Sequence, residues 1–271
     1  MHAEVAITRW EGDRAREDVD TVVVEEPLEI RIHGESLTVT MRTPGDDFAL
    51  AAGLLFAEGI VRGPDEIGAM AYCEDPENPE LQNIVNVYLE AGWPQDTEAA
   101  RWKRNFLANS SCGLCGKASI EAVRCLAPPL PPSEFRVSVG VIGQLSDRLR
   151  AAQRIFAKTG GLHAAGLFDG AGNLLALRED VGRHNAVDKL IGSELLAGRA
   201  PLSERILMVS GRTSFEIMQK AAVARIPIVC AVSAPSSLAV QLARDLHMTL
   251  IGFLRGDTMN VYAGAERLAG A

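Results

Sequence analysis

The second half of the chain repeats one pattern that restricts its fold more than any other feature does. After Phe135, short apolar runs alternate with longer segments whose apolar residues have helical spacing. The runs RILMVSG, IPIVCAVS and TLIGFLRG lack polar alternation, which is typical of strands buried on both faces. Helices that connect such strands indicate a parallel or mixed sheet covered on both sides. We therefore predict an α/β fold in which residues 135–271 form a three-layer α/β/α sandwich.

The first half of the chain predicts a small N-terminal α+β domain over residues 21–105. The segment TVVVEEPLEIRIHGESLTVTM alternates like two strands around a His-Gly-Glu turn, and FALAAGLLFAEGI after it has helical spacing. Residues 1–20 are expected to be a flexible N-terminal tail. Residues 106–134, which are rich in Pro and Gly, are expected to be a connector loop.

Charge and hydropathy exclude several classes of function. The formal net charge of −8 argues against a general affinity for nucleic acid or an anionic membrane, because both need clustered Lys and Arg. No run approaches the roughly 18 apolar residues of a membrane span, and the first residues lack the apolar core of a signal peptide. We expect a cytoplasmic protein.

Two of the five cysteines, Cys112 and Cys115, lie among small residues in NSSCGLCGKAS. An odd number of cysteines in a reducing compartment argues against a disulfide framework. Three chemistries are open to the pair: half of a zinc site, a dithiol redox pair, or a nucleophile that carries a group. Cys230, within the apolar run IPIVCAV, is instead expected to pack in the core.

The carrier thiol fits this local sequence better than the other two chemistries. A structural zinc site needs two further ligands, and the chain has no second CxxC. A thioredoxin-like pair needs its CxxC at the start of a helix that follows a strand, whereas this pair lies in a connector. Five neighbouring cations either lower the thiol pKa or form a solvated face: Arg101, Lys103, Arg104, Lys117 and Arg124.

Four segments fall where the predicted strands end, which is where α/β sheets bind ligands. They are REDVGRHN at 178–185, SGRTS at 210–214, SAPSS at 233–237 and FLRGDT at 253–258. Their Gly, Ser and Arg content is typical of a pocket for a phosphate-bearing ligand, although helix caps and turns account for part of it.

Six motifs carry a resemblance to a known family. SSCGLCG, TGGLHAAGLFD, REDVGRHNAVDKLIG, VSGRTSFEIMQKA, SAPSSLAVQLA and IGFLRGDTMNVY occur in this order within residues 20–266. Together they resemble the FdhD family of formate dehydrogenase accessory proteins, which are sulfur carriers. A CxxC alone would be weak evidence, but the ordered set is specific.

The resemblance implies a function. Members of this family accept sulfur from a cysteine desulfurase as a persulfide and pass it to the molybdenum of the bis(molybdopterin guanine dinucleotide) cofactor, before that cofactor enters formate dehydrogenase. It also implies a homodimer, a C-terminal domain similar to the cytidine deaminase fold, and binding of the guanine nucleotide parts of the cofactor. Cys112 falls at the persulfide position, and Cys115 either resolves the persulfide or relays the sulfur.

The resemblance and the residue chemistry together give a set of cofactor-binding residues. By resemblance, the binding segment comprises Phe253, Leu254, Arg255, Gly256, Asp257 and Thr258. By chemistry, the predicted phosphate contacts are Arg183, Arg212, Ser210 and Gly211. Asp180 either accepts from a guanine edge or caps a helix. His163 and His184 either bind phosphate or pterin, or are buried histidines with protein partners.

A deaminase reaction has no chemical support in this sequence, and no intrinsic metal is expected. Zinc deaminases need H-x-E, and the matching position reads His163-Ala164-Ala165. The corner SGRTS, which would have to supply two further ligands, contains no cysteine. The alternative to a sulfur carrier is a non-catalytic chaperone that binds the molybdenum cofactor on a degenerate deaminase fold. A zinc-dependent nucleoside or nucleotide hydrolase is a third option.

Overall fold

The computed structural model describes residues 2–73, 82–90 and 126–270. The N-terminal elements are β1 (His2–Glu11), β2 (Arg14–Val23), β3 (Glu26–Ile32), β4 (Glu35–Arg42), α1 (Asp47–Ala57), a 3-10 turn (Pro64–Glu66), β5 (Ile67–Tyr72) and β6 (Ile84–Leu89). The C-terminal elements are β7 (Val137–Ser138), α2 (Val139–Ala152), α3 (Arg154–Thr159), β8 (His163–Phe168), β9 (Leu174–Asp180), α4 (Arg183–Leu196), β10 (Ile206–Val209), α5 (Phe215–Val223), β11 (Ile228–Ala231), α6 (Ser237–Asp245), β12 (Thr249–Arg255), β13 (Thr258–Ala263), a 3-10 turn (Ala265–Arg267) and β14 (Leu268–Ala269).

A six-stranded mixed sheet with the order β13-β12-β11-β10-β8-β9 forms the centre of the C-terminal part. Strands β10, β11 and β12 are parallel, and the flanking strands pair antiparallel with them or with each other. The α/β class predicted from the alternating pattern is confirmed.

Helices cover both faces of this sheet. Because successive side chains of a strand point to opposite faces, each strand contributes to two separate cores. In β10, Ile206 and Met208 belong to a core with Ile142 and Leu145 of α2. The intervening residues, such as Leu207, belong to a second core that also includes residues of α4, α5 and α6. The parallel strands are therefore buried on both sides, which explains their unbroken apolar runs.

The N-terminal unit shares the second core. Its sheet, of order β4-β3-β6-β5, and helix α1 contribute apolar residues to the same cluster as α4. Helices α1 and α4 meet at two glycines: a Cβ added at Gly53 would overlap the backbone of Asp188, and one added at Gly192 would overlap the backbone of Ala49. The two helices therefore pack backbone against backbone, and the N-terminal unit is held directly against the layer that covers the sheet.

Two local structures differ from the sequence prediction. Residues 2–23, most of which were expected to be a flexible tail, form an antiparallel ribbon whose register runs from His2 opposite Val23 to Glu11 opposite Arg14. The alternation of Val, Ile and Thr with charged residues favours strands, and Gly12 provides the positive φ at the turn. The segment VGVIGQLSDRLRAAQRIFAKTGG has apolar spacing that predicts one helix with glycines past its end. In the structure this helix is broken at Gln153, whose ψ of 83° is not helical, and so forms α2 and α3.

No helix in the described ranges is long and apolar enough to cross a membrane. Of the connector predicted at 106–134, only residues from 126 onward belong to the described part, and they lead into β7.

Candidate functional site

A cavity of about 520 Å³ lies at the carboxyl ends of the parallel strands. Ser210 directly follows β10, Val232 directly follows β11, and Arg255 ends β12. Strand β8 runs antiparallel to β10, so its first residue, His163, reaches the same edge. Parallel topology thus brings together residues that are far apart in sequence, as expected for ligand sites in such sheets.

The other wall of the cavity comes from α2 and α3. It includes Ser146, Arg150, Gln153 and Phe156. The Arg150 guanidinium lies 3.9 Å from the centroid of the Phe156 ring, a cation–π contact that holds both side chains at the wall. These residues were missed by the sequence analysis, because the segment looked like one uninterrupted surface helix and gave no signal of the break that turns it around the cavity.

His163, Ser210 and Gly211 form a tight corner at the strand end. The Ser210 hydroxyl accepts a hydrogen bond from the Ala164 N–H at 2.8 Å, which fixes the hydroxyl at the sheet edge. A Cβ added at Gly211 would lie 3.2 Å from His163 Nδ1, so the imidazole packs against the glycine backbone. Burial lowers the pKa of His163, and the positive charge of Arg183 lowers it further. The imidazole is therefore neutral at neutral pH and can donate from one nitrogen and accept at the other.

Arg183 begins α4 beside this corner. Its Cδ would lie 3.9 Å from a Cβ at Gly211, and its Nε is buried without a hydrogen-bond partner among the described residues. A buried guanidinium nitrogen without a partner is unusual, since buried polar groups are nearly always paired. Arg183 does not itself line the cavity, and the phosphate contact predicted for it stays a prediction.

His184 is held by protein groups. Its Nε2 lies 3.0 Å from Ser214 Oγ and 2.9 Å from Glu216 Oε2, at the start of α5. The hydrogen bond with His184 lowers the pKa of Glu216. This arrangement favours the second alternative given for His184, a histidine with protein partners.

Asp180 is fully buried, and both of its carboxylate oxygens are occupied. Oδ2 accepts from the Thr43 N–H at 3.1 Å and lies 2.7 Å from Lys189 Nζ. Oδ1 accepts from the Gly182 N–H at 2.8 Å and from Asn185 Nδ2 at 3.1 Å. The carboxylate joins the residue that follows β4, the loop before α4 and α4 itself, which favours a structural role over contact with a guanine edge.

The segment 253–258 is a β-hairpin turn at the rim of the cavity. Phe253 has a φ of 53°, a strained value for a bulky residue, and 41% of it is exposed. Leu254 is fully buried in the core between the sheet and α2. Among the six predicted residues, the cavity is lined by Leu254, Arg255 and Gly256.

The other three residues of this turn, Phe253, Asp257 and Thr258, do not line the cavity, and neither does Arg212. The Thr258 hydroxyl donates to the Arg255 carbonyl at 2.9 Å, and Asp257 lies close to Gly143 of α2. The hydrogen bond of Thr258 lies within the turn itself. Arg212 is exposed, between Gly211 at the corner and the buried Thr213.

The cysteines divide between the described and undescribed parts of the chain. Cys112 and Cys115 lie outside the described residues. The prediction for Cys230 is confirmed: the residue is fully buried in β11, and burial raises the pKa of its thiol.

Fold and site define an α/β protein with a ligand-sized cavity at the ends of its parallel strands. Comparison with known proteins shows which family the chain belongs to. A family model described as the FdhD/NarQ family matches residues 23–269. The chain is 54% identical over 258 residues to "Sulfur carrier protein FdhD" of Streptomyces avermitilis, covering 92% of this chain and 89% of that protein.

Further similarities agree with this match. The chain is 48% identical over 267 residues to the protein of the same name in Mycolicibacterium paratuberculosis, covering 97% of both. The crystal structure of a candidate formate dehydrogenase accessory protein from Desulfotalea psychrophila matches with a TM-score of 0.77 and 25% identity, over 99% of both chains. The chain belongs to the FdhD/NarQ family.

Proposed function

We propose that the protein is a sulfur carrier, acting as a sulfurtransferase, that supports formate dehydrogenase. It accepts sulfur from a cysteine desulfurase as a persulfide on Cys112 and passes it to the molybdenum of bis(molybdopterin guanine dinucleotide) before insertion into formate dehydrogenase. The observation that carries this proposal is the identity of 54% and 48%, over nearly the whole chain, to proteins named as sulfur carriers.

The loading step is a thiol exchange. The Cys112 thiolate attacks the outer sulfur of the donor persulfide, a new S–S bond forms to Cys112, and the donor cysteine leaves as a thiolate. No net oxidation occurs. Because only the thiolate is nucleophilic, cations near Cys112 that lower its pKa would speed this step.

Cys115 gives the carrier a route to release sulfur at the sulfide level. Attack of the Cys115 thiolate on Cys112 Sγ displaces hydrosulfide and leaves a Cys112–Cys115 disulfide, so the two thiols supply the two electrons. A cellular thiol reductant must then restore the pair. In the relay alternative, Cys115 instead takes the outer sulfur from Cys112 and becomes the persulfide itself.

The cavity is the proposed binding site for a guanine nucleotide part of the cofactor, which is the substrate of this transfer. Its volume falls in the range of roughly 300–1,000 Å³ typical of small-molecule sites. Arg255 and Arg150 line it, and Arg183 lies beside its His163 corner with a free Nε, so phosphates can find charge-assisted donors there. The apolar Phe156 and Leu254 suit a base.

Replacement of Cys112 tests the proposal against the chaperone alternative. Formate dehydrogenase activity in cells that depend on this protein should be lost with Cys112→Ala and retained with Cys73→Ser, a control at a partly exposed thiol. Retained activity with Cys112→Ala would instead favour a chaperone that binds the cofactor without moving sulfur. Within the same proposal, the carrier acts in the cytoplasm as a homodimer.

A further inference from the structure

The ribbon of β1 and β2 has little of the protein packed against it. Each strand has ten residues, and the two strands form a sheet of their own with an unbroken register. At the base of the ribbon Val23 packs against Gly161, whereas Trp10 and Val19 farther out are 66% and 58% exposed. A two-stranded hairpin is at best marginally stable in water unless something packs against it. The described residues supply such packing only near the base, so the rest of the ribbon needs a partner.

The outer edge of β2 is open to another strand. Within the part of the chain that the structure describes, β2 pairs with β1 alone. The Val19 N–H donates to Asp18 Oδ1 at 2.9 Å, and the Thr21 N–H donates to Asp20 Oδ1 at 2.8 Å. Because alternate residues of a strand direct their N–H groups to the same side, these bonds indicate donors that face away from β1. Side chains thus occupy donors that a neighbouring strand could use, and neither proline nor a bulge protects this edge.

The charges of β2 are ordered about Glu17. Arg14 and Arg16 precede it, and Asp20 and Asp18 follow it at the same distances. When two identical strands pair antiparallel about a two-fold axis, a residue before the axis meets the residue equally far behind it in the other copy. An axis at Glu17 therefore sets each arginine of one copy opposite an aspartate of the other. Opposite charges in directly paired positions stabilise a sheet.

We propose that two copies of the chain pair through their β2 edges, antiparallel about Glu17, and join their ribbons into one continuous sheet. This inference rests on the homodimer of the proposed function, which it deepens by giving it an interface. The family model begins at residue 23, so the interface lies almost entirely before the part of the chain that the model matches.

The same register aligns apolar side chains on one face of the joined sheet. Within the ribbon, Trp10 lies opposite Ala15, and Ala6 lies opposite Val19. The axis at Glu17 sets Ala15 opposite Val19 of the second copy. An apolar row then crosses the joined sheet in the order Trp10, Ala15, Val19, Ala6, and the two-fold axis repeats it. The exposed Trp10 ring can reach over the small Ala15 to Val19 of the second copy, so both lose contact with water.

The opposite face gains ionic pairs. In the described part of the chain neither Arg14 nor Asp20 forms an ion pair, although other charged residues of the ribbon do. The proposed register gives each of them a partner of opposite charge. Glu17 is the exception, because it meets its own copy on the axis. Like charges directly opposite each other weaken a sheet, so Glu17 should limit the affinity of the dimer.

Sedimentation equilibrium of the full chain tests the pairing. Wild type should be a dimer. Asp20→Arg sets like charges opposite each other at both symmetric positions, so the dimer dissociation constant should rise about tenfold or more. Glu4→Arg is the matched control, because it makes the same charge reversal on β1, away from the β2 edge. Its dissociation constant should stay within about twofold of wild type.

Mixing two variants separates ionic pairing from damage to the ribbon. Arg14→Asp alone should weaken the dimer as Asp20→Arg does. An equimolar mixture of the two variants should form heterodimers about as tight as the wild-type dimer, because every paired position then holds opposite charges. Variants that only disrupt the ribbon would not rescue each other, so a mixture that stays monomeric overturns the inference.

Glu17→Gln tests the position of the axis. This variant removes the like charges that meet there, and the dissociation constant should fall about threefold. An unchanged or weaker dimer would contradict the register.

The outcomes distinguish this inference from the proposed function. A monomeric wild type overturns the interface and the homodimer together. A wild-type dimer that Asp20→Arg leaves intact overturns the interface alone, and the homodimer then uses another surface. Sulfur transfer stands in either case, because the persulfide on Cys112 is measured separately.

Discussion

At the level of single residues, the Asp180 carboxylate lies where the N-terminal unit meets the sheet. Its ion pair with Lys189 is buried, with both side chains at 2% exposure or less. Asp180→Asn would leave the ammonium group buried without a countercharge, and we expect the free energy of unfolding to fall by about 3–5 kcal/mol in denaturant titration.

The double variant Asp180→Asn/Lys189→Met is the control for that prediction. It removes both charges, so it should recover much of the lost stability. GDP affinity of the folded Asp180→Asn protein should remain that of wild type. A stable Asp180→Asn variant with weakened GDP binding would show that Asp180 contacts the nucleotide.

His163 should make stability depend on pH. Its pKa in the folded protein is lowered, chiefly by burial and then by Arg183 and His184. Below about 6.5, the usual value for histidine, the unfolded chain takes up a proton that the folded protein does not, so stability falls as pH falls. We compare pH 7.5 with pH 5.5, which lie roughly one unit on either side of that value. Between them, the free energy of unfolding should fall more for wild type than for His163→Gln.

An exposed histidine provides the control for the pH experiment. His2→Gln, at the start of β1, should keep the pH dependence of wild type. Equal pH dependence in wild type and His163→Gln would show that burial of His163 does not disfavour its charged form.

Single residues also mark the limit of sequence analysis. The residue types in REDVGRHN predicted a ligand-binding segment, but the sequence could not show which of these side chains face a ligand. Asp180 and His184 turned inward or toward protein partners because residues from distant segments, Thr43 and Glu216, complete their hydrogen bonds. Such partners are set by tertiary packing and leave no local signal.

At the level of elements, the contact between α1 and α4 depends on glycine. Gly192→Ala would place a Cβ on the backbone of Ala49 and force the two helices apart. We expect a loss of about 1–3 kcal/mol or more, seen as a lowered Tm. Gly140→Ala in α2 is the control, because its added Cβ would meet only Ser138 Oγ at 3.7 Å.

Opposite results would contradict this packing. A Gly192→Ala variant as stable as Gly140→Ala would mean that α1 and α4 are separable, and the N-terminal unit would then not be fixed to the sheet through them.

Most helices and strands were predictable because each has its own hydrophobic period and its own residues that begin or end it. The hairpin of β3 and β4, helix α1 and the strands from β8 onward follow the sequence pattern. The break at Gln153 was not predictable, since no Gly or Pro occurs there. The ribbon of β1 and β2 was missed, although its alternation of Val, Ile and Thr with charged residues is a strand pattern.

At the level of the whole molecule, the alternation of strands and helices determines where the cavity lies. Three parallel strands end at one edge, so residues from four distant segments reach the same place. This edge was predictable from the sequence. The wall formed by α2 and α3 was not, because it depends on how a surface helix turns back over the sheet.

The central claim is that Cys112 carries sulfur, and mass spectrometry of the peptide containing Cys112 and Cys115 tests it most directly. After anaerobic incubation with a cysteine desulfurase and free cysteine, we expect one added sulfur atom on Cys112 that disappears when molybdenum cofactor is supplied. The Cys112→Ala protein should acquire no sulfur in this peptide. If both thiols of the wild-type protein stay unmodified while GDP still binds, sulfur travels by another route and the protein is a cofactor chaperone.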